Sequence, residues 1–144
     1  MKSVLKIGLT VAPFLYMLLI WYLSSNPDDK VLSLPERDLD RFIKESLHLI
    51  EFGILYALFV LALLAHGKLT YAFNTVAALI AIFYGFTDEI HQAFVPARSA
   101  TMIDAAKDLI GVTILYWLVN HTYFRSPERP LGRWLKSVEK YFTT

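Results

Sequence analysis

At 144 residues, with 56% hydrophobic and 15% aromatic side chains and a mean hydropathy of +0.44, the chain is more apolar than a soluble domain of its size. A formal net charge of +1 leaves no basic footprint for a nucleic acid, which is excluded as a partner. The absence of cysteine excludes disulfides, iron–sulfur clusters and thiolate zinc sites, but identifies no compartment.

The first apolar run, Val4 to Tyr22, follows Lys2 and Lys6. A cleaved signal peptide begins in the same way, but no A-x-A-like site follows, and Trp21 and Tyr22 suit a membrane interface. A retained helix is expected. The second run, Leu47 to Ala65, is preceded by Ser33-Leu-Pro-Glu36, which has capping-box spacing, and by a helical stripe of Leu39, Phe42, Ile43 and Leu47. Tyr71 to Phe86 and Leu109 to Val119 follow, the last reaching back to Ile103 if its charges enter the membrane edge. A span needs roughly 20 residues, with 17 to 25 tolerated, so the expected spans lie near 4–23, 46–65, 71–90 and 103–121.

Four spans bring both termini to one side. Eight cations (Lys2, Lys6, Lys68, Arg125, Arg129, Arg133, Lys136 and Lys140) lie on the side of the termini, and six (Lys30, Arg37, Arg41, Lys44, Arg98 and Lys107) on the other. The positive-inside rule then makes both termini cytoplasmic. Residues 125–144 form a basic tail beyond a transmembrane domain at 1–124, and Leu131, Trp134, Leu135, Val138 and Phe142 give it one apolar face, suited to lying on anionic lipid. The expected fold is a compact all-α bundle of four transmembrane helices, with a polar hairpin on the outer face and an amphipathic interfacial helix at the C-terminus.

Charged residues are costly at a membrane edge, yet Phe83 to Gly111 holds Asp88, Glu89, His91, Gln92, Arg98, Asp104, Lys107 and Asp108. A turn at Val95-Pro96-Ala97-Arg98 makes the stretch an outer hairpin, whose charges can share one pocket with the start of the second span. Lys44, His48, Glu51 and Leu55 fall on one helix face, as do Asp104, Lys107, Asp108 and Gly111, and Gly111 admits a close helix neighbour. Asp88 stands in the same relation to His91 and Gln92 if the third helix continues past Phe86. Structural roles compete with functional ones: Asp104 as a cap after Thr101, His48 with Glu51 as a hydrogen-bonded pair, and Arg98 as a counter-ion for Asp88 or Glu89. Lys44, Arg98 and Lys107 face five carboxylates (Glu51, Asp88, Glu89, Asp104 and Asp108). That imbalance calls for a shared proton, a protonated histidine or a bound cation.

K-x-x-x-H-x-x-E-F at Lys44, His48, Glu51 and Phe52, D-E-I-H-Q-A-F-V-P-A-R from Asp88 to Arg98, and D-x-x-x-D-x-x-G at Asp104, Asp108 and Gly111 together resemble the VanZ-like family, named for a teicoplanin-resistance accessory protein. The resemblance runs from about Pro13 to Asn120. Phe52 stands where the family often has Tyr, which removes a hydroxyl, and Asp108 where it has Asn or Asp. The resemblance implies a multi-pass protein of the cell membrane that is linked, in some members, to lowered glycopeptide susceptibility, and it implies no particular reaction.

Three functions fit these residues. In the first, an envelope protein binds a membrane lipid head group or a lipid-linked cell-wall intermediate through Lys44, His91, Gln92, Arg98, Asp104, Lys107 and Asp108, helped by outward helix N-termini. In the second, a membrane-embedded enzyme hydrolyses or transfers a group on a lipid-linked substrate, with His48, Glu51, Asp88 and Glu89 as catalytic candidates and Arg98 as clamp. In the third, the same carboxylates relay protons for transport, although four short spans are few for an inverted repeat unless the protein forms a homo-oligomer, which stays open as well. No cofactor is expected and no metal is assigned. His48, Glu51, Asp88, Glu89 and His91 include divalent-ion ligand types, but H-x-x-E is not the zinc motif H-E-x-x-H.

Overall fold

A computed structural model describes residues 1–26, 37–96 and 102–144, with backbone alone for 37–49 and 102. The capping box at Ser33 to Glu36, the cap at Thr101, Ala97 and Arg98 lie outside the described residues, as do the side chains of Lys44 and His48.

The described chain is helical, with no strand. Its five α-helices are α1 (Lys2–Ser24), α2 (Arg37–Ala65), α3 (Tyr71–Gln92), α4 (Met102–Val119) and α5 (Pro130–Thr143); a π-helix (Asn120–Arg125) continues α4. Helix α3 runs past Phe86, as the Asp88–Gln92 spacing requires. At 1.5 Å per residue, α1 and α3 are each about 33–35 Å long, enough to cross a hydrocarbon core of about 30 Å. These two helices are long and apolar enough to span a membrane; Ile50–Ala65, the part of α2 with described side chains, is apolar but shorter.

Helix α2 is the axis and packs against α1, α3, α4 and α5. Its buried residues Phe52, Leu55, Tyr56, Val60 and Leu64 recur at helical spacing and form one inward stripe. Helix α3 answers with small residues, Ala77, Ala78, Ala81 and Gly85, which let backbones approach. That stripe turns polar at both ends, with Asn74 at one and Asp88, Glu89 and Gln92 at the other. The close contact expected at Gly111 is met from α2 by Gly53, where an added Cβ would lie 3.7 Å from the Gly111 carbonyl oxygen and 3.2 Å from Leu115 Cδ1.

Cross-helix bonds fix the directions. Thr10 Oγ1 is 2.8 Å from His66 Nε2, so the start of α1 lies beside the end of α2. Ser24 meets Asp88, so the ends of α1 and α3 coincide. Thr75 Oγ1 lies 2.9 Å from the Tyr116 hydroxyl, and Gly85 abuts Asp108, so α3 and α4 are antiparallel. The end of the bundle holding the chain termini carries its own buried polar link: Tyr56 donates to Asn74 Oδ1 at 2.8 Å, and Asn74 donates to Asn120 Oδ1 at 3.2 Å.

Helix α5 closes that end. Tyr123 donates to Glu139 at 2.7 Å, Lys136 lies 3.6 Å over the Tyr123 ring, and Lys2 lies 5.0 Å over Tyr141. Burial is the main reason the Tyr123 phenol titrates above its ordinary range, which keeps it a donor. The apolar face read from the sequence is divided: Leu135 is buried and Leu131 and Val138 pack against the core, whereas Trp134 is 51% exposed. The bundle end packs on Leu131, Leu135 and Val138 of that face because Gly132 lets the backbones touch. A Cβ there would run into the Thr122 carbonyl oxygen and lie 2.9 Å from Pro127 Cα.

Candidate functional site at the carboxylate end

At the opposite end, α1, α3 and α4 bring polar side chains to one depth beside α2. Asp88, at 1% exposure, is the most enclosed of them. Its Oδ2 accepts from Ser24 Oγ at 2.9 Å and from Gln92 Nε2 at 2.6 Å, and Gln92 Nε2 also lies 3.4 Å from Ser24 Oγ. The second bond is the i to i+4 relation legible on α3. The first comes from a helix that the charge pattern does not implicate. Among the described residues, Asp88 Oδ1 is buried without a hydrogen-bond partner. Leaving a buried acceptor unanswered costs about 1–3 kcal/mol.

Asp108, at 2% exposure, faces α3 where Gly85 makes room: an added Cβ at Gly85 would sit 3.4 Å from Asp108 Cβ and 3.5 Å from Phe52. Asp108 is within charge–charge reach of Glu89, Glu51, Asp88 and Asp104. Glu89 is also buried, and Glu51 is half-buried. Carboxylates of α2, α3 and α4 therefore lie within charge–charge reach of Asp108, and α1 supplies the Ser24 donor to Asp88. Asp104, the candidate cap, forms an ion pair with Lys107 at 3.1 Å, on the polar face predicted for α4.

His91 does not join Asp88. Its Nε2 is 2.9 Å from Ser25 Oγ, and its ring stacks on Trp21 with centroids 3.8 Å apart. This pair forms a rim between α1 and α3. Below the rim, the Tyr84 hydroxyl donates to the Met17 carbonyl at 2.6 Å. A lateral groove of about 470 Å³, lined by Phe14, Met17, Leu18, Trp21 and Tyr84, opens there, and its lining is almost wholly apolar.

The structure thus brings Asp88, Glu89, Gln92 and Asp108 into one buried set, with Glu51, Asp104 and Lys107 beside it and His91 on the rim. Sequence reasoning missed Ser24, Ser25, Trp21, Tyr84 and Gly85. A Ser-Ser pair ending an apolar helix, and Gly85 at seven-residue spacing from Ala78, were the available signals. Among the described residues no group of three or more His, Asp or Glu side chains is arranged to hold a metal ion.

A family model described as VanZ/LLP1 matches residues 4–124. No curated protein and no solved structure matches the chain. The matched range contains every residue of the carboxylate-end site and stops short of α5. With most of its length covered by that match, the chain belongs to the VanZ-like family.

Proposed function

We propose that the chain is a four-span protein of the cell membrane with cytoplasmic termini, whose outward polar pocket binds a membrane lipid head group or a lipid-linked cell-wall intermediate. The family implies a setting in resistance to teicoplanin-type glycopeptides. The observation that carries the proposal is the half-satisfied Asp88 carboxylate, buried, bonded from α1 and α3, and one helical turn from Tyr84 of an apolar groove. Amphiphiles need both halves of such a site: polar groups that fix a head and an apolar channel that accepts a chain. Arg98, Lys44 and Lys107 would meet the phosphate.

The orientation is supported by charge. Lys2, Lys6, Lys68 and the basic residues of α5 gather at the termini end, and the buried carboxylates at the other. Residues 1–124 form the membrane domain, with α2 and α4 as its second and fourth spans. Residues 125–144 form a cytoplasmic tail whose exposed Arg133, Trp134, Lys140 and Tyr141 rest on anionic lipid.

Adding extracted membrane lipid to delipidated protein in detergent tests the proposal, because a ligand that binds only the folded state raises its melting temperature. The wild type should be stabilised, and Leu18→Trp, which puts a larger side chain in the apolar groove, should gain much less. Equal gains, or none in the wild type, would contradict a ligand in this pocket.

A further inference from the structure

The two oxygens of Asp88 have different surroundings. Oδ2 accepts from Ser24 and Gln92, while Oδ1 is buried and has no hydrogen-bond partner among the described residues. Beside it, Asp108 is within charge–charge reach of Asp88, Glu89, Glu51 and Asp104. The sequence sets three cations, Lys44, Arg98 and Lys107, against these five carboxylates, and Lys107 is engaged by Asp104 at 3.1 Å. His91 turns its Nε2 to Ser25 and its ring to Trp21, on the rim.

A phosphate does not answer this arrangement, because it brings only acceptors and more negative charge. A metal ion needs several donors, and the described residues provide no such set. What one buried acceptor in a negative field lacks is an N–H donor with positive charge. A primary ammonium supplies three N–H donors from a compact cation.

We infer that the ligand carries a primary ammonium close to its phosphate, and that the ammonium donates to Asp88 Oδ1. This rests on the lipid-binding proposal and narrows it to amine-bearing head groups of the phosphoethanolamine kind. Ser24 and Gln92 act as positioning residues, holding Oδ2 so that Oδ1 faces the ligand.

The test adds phosphatidylethanolamine, phosphatidylcholine or phosphatidylglycerol with matched acyl chains to delipidated protein and reads binding from the melting temperature. Phosphatidylcholine keeps the charge but has no N–H, and phosphatidylglycerol has no cation. Phosphatidylethanolamine should bind about tenfold or more tightly than either, the order expected for one charge-assisted hydrogen bond. In Asp88→Asn its ratio to phosphatidylcholine should fall to near one. An undiminished ratio in that variant would overturn the inference. If the variant does not fold, the wild-type ratio decides, and a value near one overturns it. Binding of all three lipids alike would leave the lipid-binding proposal standing and remove this one; binding of none would remove both. Soluble phosphoethanolamine stabilising as well as the lipid at equal concentration supports ammonium recognition and makes the ligand water-soluble.

Discussion

Replacing Asp88 by Asn exchanges one carboxylate oxygen for an NH₂ group and removes the charge without changing the shape. The amide oxygen can keep both accepted bonds, from Ser24 at 2.9 Å and Gln92 at 2.6 Å, while the NH₂ takes the place of the unanswered Oδ1. A buried acceptor without a partner costs about 1–3 kcal/mol, and a desolvated charge amid other carboxylates adds to that cost. Asp88→Asn should therefore stabilise the free protein by about 1–2 kcal/mol, allowing for the amide's own imperfect pairing. For a chain of this length each kcal/mol shifts the midpoint by roughly 2–4 °C, so melting in detergent should rise by several degrees. Asp88→Ala is the control, since it strands Ser24 and Gln92 together and should melt lower than wild type. The reasoning fails if Asp88→Asn melts several degrees lower while retaining as much lipid as wild type. Asp88 would then be a structural strut whose charge its neighbours need.

Four further outcomes follow from other parts of the fold. Tyr56→Phe removes the 2.8 Å bond to Asn74 and should cost about 0.6–1.7 kcal/mol, the range for such bonds between membrane helices, read by thermal unfolding. Gly132→Ala puts a methyl group into Pro127 and the Thr122 carbonyl, so α5 should lift from the bundle and become sensitive to limited proteolysis, at a cost of about 1–3 kcal/mol. Cysteines introduced at Phe94, Lys68 and Lys140 should react with an impermeant reagent in whole cells only at the first position, and labelling at Lys140 would invert the proposed orientation. Arg98→Lys keeps the charge but loses the planar fork, so resistance or lipid binding should fall at normal abundance, whereas Lys68→Arg should change neither.

Periodicity carried what lies within one helix. The Asp88–Gln92 pair and the Asp104–Lys107 pair are separations of four and three residues, and both contacts form. The small-residue stripe on α3 was open to the same reasoning. What pairs between helices was not legible, because the rotation and height of each helix depend on how all of them pack. Nothing in the run from Val4 to Tyr22 predicts that Ser24 binds Asp88, or that His91 stacks on Trp21 instead of turning inward. The tail shows the same boundary: its apolar face was plain, but an amphipathic helix fits lipid and protein alike. Its packing on the bundle depends on Gly132, whose missing side chain allows a backbone contact, and on Tyr123 and Glu139, 16 residues apart.

The central claim is that the carboxylate-end pocket holds a lipid head group. Native mass spectrometry of protein released gently from its own membranes tests it most directly, with Asp88→Asn and Lys68→Arg prepared beside the wild type. The wild type and Lys68→Arg should each carry about one retained lipid, amine-bearing by fragmentation, and Asp88→Asn should lose it while remaining folded. A wild type that carries no lipid under conditions that preserve its fold, or an Asp88→Asn protein that keeps the same lipid at the same occupancy, would contradict the account.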